Sequence, residues 1–417
     1  MIPNLTIDSQ RLQSEIDTLA GFSDVPAPAV TRVLFTPVEL QARQFIRELM
    51  ADAGLTVRED AVGNVFGRWP GADDALPAVA TGSHIDAIPY SGRYDGTVGV
   101  LGAIEAVRAL RGAGFQPKRA IELIMFTSEE PTRFGVGCLG SRALAGKLTP
   151  DKLRGLRDEQ GQDFETVRQQ AGYDAPLDTV QLAKGYYDAF VELHIEQGPR
   201  LEQAGLQLGI VTAIAAPATL RVVIHGDGGH AGTVLMPDRR DAFPAAAEIV
   251  LAVEQAGRES QSPDAVATVG LCQVYPGAVN SIPSRVLMEI DLRDIDLASR
   301  DGMVETVKQA VAEVCERRGL QYELSVLNAD APCHSGPAIV ETLTTTAESL
   351  RYTHQKLVSR AYHDTLFMAD ICPTSMIFVP SANGYSHRPE EYTSSEEIER
   401  GVEVLAQVLA QLAETDM

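Results

Sequence analysis

Basic residues are few in this sequence: 35 Lys and Arg stand against 57 Asp and Glu, giving a formal net charge of -22. Nucleic acids and anionic membranes attract basic surfaces, so this balance argues against both as partners. The sequence has no run of about 18 apolar residues, the length that a membrane span needs. Its N-terminus also lacks the basic segment and apolar core of a signal peptide. The sequence therefore predicts a soluble, cytoplasmic protein.

Cysteine is also scarce. The chain has five cysteines, scattered and never in a Cys-x-x-Cys pair, which is typical of free thiols in a reducing compartment. A Gly-x-Ser-x-Gly elbow and a P-loop are both absent, which weakens the serine hydrolase and nucleotide-binding interpretations. Internal repeats and low-complexity tracts are absent as well.

What the chain does contain is an alternation of apolar strands and amphipathic helices. Apolar runs predict buried strands at residues 77–81, 120–127, 190–193 and 376–380, and apolar periodicity predicts a helix at 99–110. Residues 5–50 are predicted to be largely helical. Such alternation is typical of an α/β fold with a mainly parallel sheet and helices on both faces.

The pattern changes in the region 208–325. Its order is strand, helix, strand, strand, helix, strand, with helices predicted at 239–256 and 304–318. This is the ferredoxin-like α+β order of a small two-layer domain. The sequence therefore predicts a discontinuous catalytic domain, residues 1–207 and 326–417, with a smaller domain inserted.

Five side chains that could bind metal lie at the predicted strand ends or in the adjoining loops: His84, Asp95, Glu130, His194 and His387. The ends of parallel strands share one edge of a sheet, so these side chains can converge there. Imidazoles and carboxylates without a thiol suit a divalent hydrolytic metal better than a structural zinc. Two ions that share one carboxylate are a recurrent hydrolytic arrangement. The alternative is that these residues cap helices and solvate loops.

Glu129 and Glu130 are adjacent at one strand end, where neighbouring carboxylates can divide two roles. One can bind metal while the other acts as a general base toward the attacking water. The alternative is an ordinary helix N-terminus with acidic residues in its first turn. His363 lies in a polar loop that could reach the site as a contact to the substrate or to the ligands.

A second cluster lies in the predicted inserted domain. His230 is in a glycine-rich loop, and Asn280 and Arg293 flank one strand. Such residues could bind a carboxylate and polarise a carbonyl. The alternative is that His230 is solvated and that Arg293 pairs with Asp291 or Asp294.

Several stretches together resemble one family. They are GSHIDAIPYSGRYDGTVGVLGAIEA, FTSEEPTRFGVGCLGSRALAG, ELHIEQGPRLE, GGHAGTVLMPDRRDA, VNSIPSRVLMEIDLRDID and MIFVPSANGYSHRPEEYT. They are similar to the amidase, hydantoinase and carbamoylase branch of the di-metal aminopeptidase-like hydrolases. The resemblance runs in family order over residues 82–393, and it implies an aminopeptidase-like catalytic domain with an inserted ferredoxin-like domain.

The resemblance also implies roles for the candidate residues. One metal ion would be held by His84, Asp95 and His194, and the other by Asp95, Glu130 and His387. Glu129 would be the general base that activates the attacking water. Two divalent ions per subunit are implied, with Mn²⁺ favoured and Zn²⁺ as the alternative.

A homodimer is implied too. In this branch the partner subunit's smaller domain supplies the residue that corresponds to His230, which stabilises the oxyanion. Gln197, Asn280 and Arg293 match positions that bind the amide and carboxylate of a small ureido substrate. The smaller domain would serve dimerisation and lid closure.

Within the branch, the stretches IPYSGRYDG, SEEPTRFGVGCLGSR, VTAIAAPATL and SRAYHDTLFMA resemble the members that act on ureidoglycolate in purine and allantoin catabolism. The implied reaction cleaves the ureido C–N bond and yields ammonia, carbon dioxide and glyoxylate. The residues Ala361–Thr365 and Ala215–Pro217 depart from the pattern of carbamoylases and allantoate enzymes. The alternatives are an allantoate or N-carbamoyl-L-amino acid amidohydrolase, a dipeptidase, and a catalytically inactive binding module.

Overall fold

The computed structural model describes residues 2–3 and 5–415, and it divides into two compact units. The first unit comprises the chain up to Thr212 and again from Ser335, and the second is Ala213–His334. The predicted boundary at 208 coincides with the start of a strand that runs to Ile214, and the one at 325 falls inside a strand that runs to Ala329. None of the helices in the described residues combines the length and the apolar character that crossing a bilayer requires.

The strands are, in chain order, β1 (Val30–Arg32), β2 (Thr56–Glu59), β3 (Val65–Trp69), β4 (Ala78–His84), β5 (Ala87–Ser91), β6 (Ile121–Phe126), β7 (Tyr187–Ile195), β8 (Leu208–Ile214), β9 (Ala216–His225), β10 (Gly229–His230), β11 (Val266–Tyr275), β12 (Ser281–Ile282), β13 (Arg285–Asp294), β14 (Gln321–Ala329), β15 (Cys333–His334), β16 (His354–Ser359) and β17 (Thr374–Val379).

The helices are α1 (Ser9–Ala20), α2 (Pro37–Asp52), α3 (Thr97–Gly112), α4 (Leu139–Leu144), α5 (Pro150–Gly155), α6 (Phe164–Gln170), α7 (Arg200–Ala204), α8 (Ala242–Glu259), α9 (Leu297–Arg318), α10 (Pro337–Ser349), α11 (Thr365–Met368) and α12 (Ser395–Glu414). The N-terminal region predicted to be largely helical therefore also contains a strand and the turns around it.

The first unit is built on a sheet in the order β8-β17-β7-β4-β6-β3-β2. The four central strands, β17, β7, β4 and β6, run parallel, and the strands on either side of them are antiparallel. Alternate residues of β6 enter two different apolar cores: Leu123 and Met125 pack in one, Ile124 and Phe126 in the other. The sheet is thus buried on both faces, which confirms the predicted mainly parallel α/β fold.

Two of the central strands are longer than the sequence indicated. The prediction ended the strands at Thr81 and Leu193, whereas β4 runs to His84 and β7 to Ile195. Both polar ends still pair in the sheet, because His84 lies opposite Phe126 and His194 opposite Phe378. The prediction of a loop at His84 was therefore wrong, and the imidazole sits on a strand end.

The second unit has a four-stranded antiparallel sheet in the order β11-β13-β9-β14. Helices α8 and α9 pack on the face where alternate β13 residues, from Val286 to Leu292, are buried. This is the predicted β-α-β-β-α-β order. Helix α9 begins at Leu297, earlier than predicted, because the Asp296 carboxylate accepts the Ser299 N–H at 2.7 Å and caps it. The dimerisation role of this unit stays a prediction.

Candidate metal centre

The first unit brings six predicted side chains together at the carboxyl ends of its parallel strands: His84, Asp95, Glu129, Glu130, His194 and His387. His84 ends β4, His194 is the penultimate residue of β7, and Glu129 and Glu130 follow β6. The loop between β17 and α12 supplies His387. In open α/β sheets this edge is where ligands bind.

The two strand-end imidazoles are oriented by backbone carbonyls. The His84 Nδ1 lies 3.1 Å from the Asp86 carbonyl oxygen, and the His194 Nδ1 lies 2.9 Å from the Ile195 carbonyl oxygen. An N–H at Nδ1 that donates to a carbonyl leaves the lone pair on Nε2. The rings stack with centroids 6.0 Å apart. Gly96 (φ 64°) permits this packing, because a Cβ there would lie 2.4 Å from the His84 Nε2.

The Asp95 carboxylate lies between the imidazoles. Its Oδ1 is 3.3 Å from the His194 Nε2 and 3.5 Å from the His84 Nε2. Its Oδ2 is 3.4 Å from the His387 Nε2. One buried carboxylate thus faces ring nitrogens with each of its oxygens, which is the arrangement that a bridging ligand requires.

Glu130 completes the other side. Its Oε1 lies 3.3 Å from the His387 Nε2. Two sets of three ligand atoms therefore form, each with all its atoms within 4.8 Å of one another: His84, Asp95 and His194 make the first, and Asp95, Glu130 and His387 the second. We call these the first and the second triad. His387 differs from the other ligands because its side chain is 46% exposed.

A third group with similar spacing, Glu192, His194 and His363, lies beneath the triads. The ligand atoms of Glu192 and His363 already have hydrogen-bond partners. The Glu192 oxygens accept hydrogen bonds from Ser83 Oγ (2.7 Å) and Thr365 Oγ1 (2.5 Å). The His363 Nε2 lies 3.0 Å from Ser359 Oγ. Burial lowers the pKa of His363 well below its usual value and keeps the ring neutral. The ring of His363 packs edge-on against His194, with centroids 4.6 Å apart.

Glu129 lies beside both triads and belongs to neither. Its Oε2 is 3.8 Å from the His84 Nε2, and its Oε1 accepts the Cys138 thiol at 3.4 Å. The Asp86 carboxylate accepts the N–H groups of Glu129 at 3.1 Å and Glu130 at 3.0 Å, and so holds both backbones. The adjacent glutamates therefore diverge, one toward the His84 side and one toward His387.

The ionisable groups at the centre shift one another's pKa values. Burial raises the pKa of Glu129 well above its usual value, and burial together with the Asp95 charge raises the pKa of Glu130 to about 7. Burial opposes the charged form of Asp95, but the ring nitrogens of His194, His387 and His84 beside it favour that form more strongly and hold its pKa well below the usual value. Clustered buried carboxylates of this kind are compensated by a bound cation. The donor set therefore fits divalent metal ions.

Three residues of the site hold left-handed backbone conformations: Ser128 (φ 52°), Gln197 (φ 54°) and His387 (φ 60°). Residues other than glycine rarely adopt this region, and such strain concentrates at functional sites. Gln197 donates from Nε2 to Asp95 Oδ2 at 2.6 Å, and its buried Oε1 has no protein partner. That oxygen is available to accept a hydrogen bond from a ligand.

Sequence reasoning gave no role to Cys138 or Glu391. Glu391 is 4% exposed, and its Oε1 accepts the N–H groups of Tyr94 (2.8 Å) and Asp95 (3.1 Å). The only signal in the sequence is a carboxylate four residues after His387. The carboxylate of Glu390, three residues after His387, gives an equivalent signal, although it is exposed and pairs with Arg388 at 2.9 Å.

The remaining predicted residues, His230, Asn280 and Arg293, lie in the second unit. The exposed His230 accepts the Gly232 N–H at Nδ1 (3.0 Å), which leaves an N–H at Nε2. The Asn280 carbonyl accepts the Ala231 N–H at 2.9 Å, so these two predicted residues lie in neighbouring segments. Arg293 contacts the Asp291 carboxylate with Nε (2.7 Å) and Nη2 (3.1 Å), as one alternative interpretation anticipated.

The sequence profile of the family described as Peptidase family M20/M25/M40 matches residues 80–411. The chain is 53% identical to the ureidoglycolate hydrolase of Arabidopsis thaliana over 98% of its own length and 88% of that protein. It is 38% identical to the N-carbamoyl-L-amino acid amidohydrolase of Geobacillus stearothermophilus, with 98% and 99% of the two chains covered. Crystal structures of AtUAH in complex with (S)-hydroxyglycine and with glyoxylate superpose with a TM-score of 0.90 at 52% identity, covering 98% of this chain and 99% of that one.

Proposed function

This chain belongs to Peptidase family M20/M25/M40, and we propose that it is a divalent-metal amidohydrolase that converts ureidoglycolate to glyoxylate. One observation carries the metal chemistry: the Asp95 carboxylate is shared by two triads of imidazole and carboxylate ligands. The substrate is supported by the 53% identity to a ureidoglycolate hydrolase across nearly the whole chain. The two ligands bound to AtUAH are products that this reaction would form.

The first triad would hold one ion and the second triad the other, with Asp95 in both. We propose Mn²⁺ as the resident ion, with Zn²⁺ as the alternative that imidazole and carboxylate ligands also accept. When bound, such ions polarise the scissile carbonyl and lower the pKa of water in the site.

Glu129 is the proposed proton carrier. Its carboxylate is buried beside the triads and is in neither of them, so it is free to accept a proton from the attacking water. Burial raises its pKa, which makes it a stronger base than a surface glutamate. It then delivers the proton to the terminal nitrogen of the ureido group, which leaves as ammonia.

The atoms balance with one water molecule. Hydrolysis of the terminal amide gives ammonia and a carbamate, the carbamate loses carbon dioxide to give hydroxyglycine, and hydroxyglycine breaks down to glyoxylate and a second ammonia. The last two steps need no further residue of the chain.

Substrate contacts are assigned to Gln197 and three residues of the second unit, whereas the buried His363 would orient the ligand His194. The unpartnered Gln197 Oε1 would accept a ureido N–H. Arg293 already holds a carboxylate with two nitrogens and would exchange Asp291 for the substrate carboxylate. Asn280 would bind the substrate amide, and the His230 Nε2–H would be presented by the partner subunit to stabilise the oxyanion. The active form would therefore be a homodimer.

The test is a parallel assay of the Mn²⁺-loaded protein on ureidoglycolate, allantoate and a panel of N-carbamoyl-L-amino acids. We expect ammonia release with ureidoglycolate, with glyoxylate as the second product. Faster turnover of allantoate or a carbamoyl amino acid would keep the metal chemistry and overturn the substrate. No turnover of any of these substrates by metal-loaded protein would overturn the proposed function.

A further inference from the structure

A buried carboxylate joins the two loops that carry the ligands Asp95 and His387. Glu391 lies four residues beyond His387, and its Oε1 accepts the backbone N–H groups of Tyr94 at 2.8 Å and Asp95 at 3.1 Å. Its Oε2 accepts the Ser386 hydroxyl at 3.0 Å. The side chain therefore spans from the backbone of one ligand loop to a side chain of the other.

The Ser386 hydroxyl extends this link to the ligand atom itself. Its oxygen lies 2.8 Å from Asp95 Oδ2 as well as 3.0 Å from Glu391 Oε2, so one hydroxyl hydrogen is shared between two acceptors. The same Asp95 Oδ2 faces the His387 Nε2 at 3.4 Å. Glu391 and Ser386 thus fix both the backbone and the carboxylate of Asp95 on the side of the second triad.

The surrounding residues leave a close-fitting space for Glu391. A Cβ on Gly92 would lie 2.4 Å from both the Cβ and the Oε1 of Glu391, so only glycine fits there. The next residue, Tyr392, packs edge-on against Tyr94 with ring centroids 5.9 Å apart. The two loops therefore contact each other on both sides of the carboxylate, which keeps it 4% exposed.

The two triads depend on these loops to different degrees. His84 and His194 lie on strands that are held by sheet hydrogen bonds on both sides. His387 lies on a loop, with its side chain 46% exposed. A loss of contact between the loops should therefore displace the second triad while the imidazoles of the first stay in place.

We propose that Glu391 is a positioning residue for the second metal ion, because it holds the Asp95 loop against the His387 loop so that Asp95 and His387 converge beside Glu130. This inference rests on the two-ion centre of the proposed function. Partners that orient metal ligands typically contribute about 10- to 100-fold to metal affinity. We expect a loss of that size for the second ion and a smaller loss for the first.

The experiment compares Glu391→Ala and Glu391→Gln with the matched control Glu390→Gln, which changes the exposed neighbouring glutamate. Metal-free full-length proteins are titrated with Mn²⁺ by calorimetry, and the spin-coupled two-manganese EPR signal is recorded. We expect two ions and a coupled signal in the wild type and in the control. Glu391→Ala should bind the first ion almost normally and the second about 10- to 100-fold more weakly. Glu391→Gln keeps an oxygen for the backbone N–H groups, so its affinity for the second ion should lie between those of the wild type and Glu391→Ala.

Two outcomes would overturn the inference. One is wild-type affinity for both ions in Glu391→Ala, and the other is equal weakening of both ions in Glu391→Gln, which is nearly isosteric. Neither outcome bears on the proposed function, because the wild type would still bind two ions. A wild type that binds no divalent ion would instead overturn the proposed function.

Discussion

Replacement of Glu129 by glutamine separates proton transfer from metal binding. The two side chains are nearly isosteric. The Glu129 backbone N–H donates to the Asp86 carboxylate at 3.1 Å and holds this segment, and the substitution leaves that contact unchanged. An amide oxygen can still accept the Cys138 thiol that contacts the carboxylate at 3.4 Å. Because Glu129 is in neither triad, we expect Glu129→Gln to fold and to bind both ions.

The amide cannot take a proton from water, so the chemical step should slow. A positioned general acid–base group contributes typically about 10²- to 10⁴-fold to rate. Glu129 is proposed to act twice, first toward water and then toward the leaving nitrogen, so we expect a loss near the upper limit. A 10⁴-fold fall in kcat corresponds to about 5.4 kcal/mol of transition-state stabilisation.

The assay is steady-state ammonia release from ureidoglycolate, with the metal content of the same samples measured by elemental analysis. Glu130→Gln is the matched comparison, because it changes the adjacent carboxylate in the second triad and should reduce metal content. A kcat within about tenfold of wild type for Glu129→Gln would refute the reasoning, because a general base contributes at least about 10²-fold. Loss of metal from that variant would show that Glu129 is a ligand.

Three further changes are informative. Arg293→Lys should raise KM about tenfold or more at similar kcat, since an ammonium cannot reproduce the two-point contact now made with Asp291; an unchanged KM in substrate titrations would remove Arg293 from the carboxylate site. Cys138→Ala should lower kcat severalfold, because it removes the weak hydrogen bond from the thiol to Glu129. Cys138→Ser should restore kcat, and equal rates for both variants would show that the thiol does not orient Glu129. Gly92→Ala should weaken binding of the second Mn²⁺ ion, because the new methyl would lie 2.4 Å from Glu391. Normal binding of both ions in Mn²⁺ titrations would show that the two loops relax around the methyl.

The sheet of the first unit was predictable because its strands are continuous apolar runs. Ile121–Phe126 lies within the strand predicted at 120–127, and the parallel arrangement followed from the helices between strands. The strand ends were less predictable. The sequence interpretation stopped β4 before His84 because polarity was taken as the end of the strand, whereas the imidazole still pairs beside Phe126 in the sheet.

The candidate ligands could be named from sequence because imidazoles and carboxylates followed predicted strands. The supporting residues could not, because their partners are distant in the chain. Glu391 meets Tyr94, 297 positions away. Nothing local distinguishes it from Glu390, which is exposed. The Cys138 thiol is only nine residues from Glu129, but it reaches that side chain through a left-handed turn, φ 52°, that a non-glycine residue does not signal.

The most direct test of the two-ion account is anomalous diffraction at the manganese edge from crystals of the Mn²⁺-loaded protein. The account predicts two peaks, each within about 2.5 Å of an Asp95 carboxylate oxygen. One peak should have His84 and His194 as its other ligands, and the second should have Glu130 and His387. A single peak, or two peaks of which only one touches Asp95, would contradict the shared carboxylate and with it the proposed mechanism.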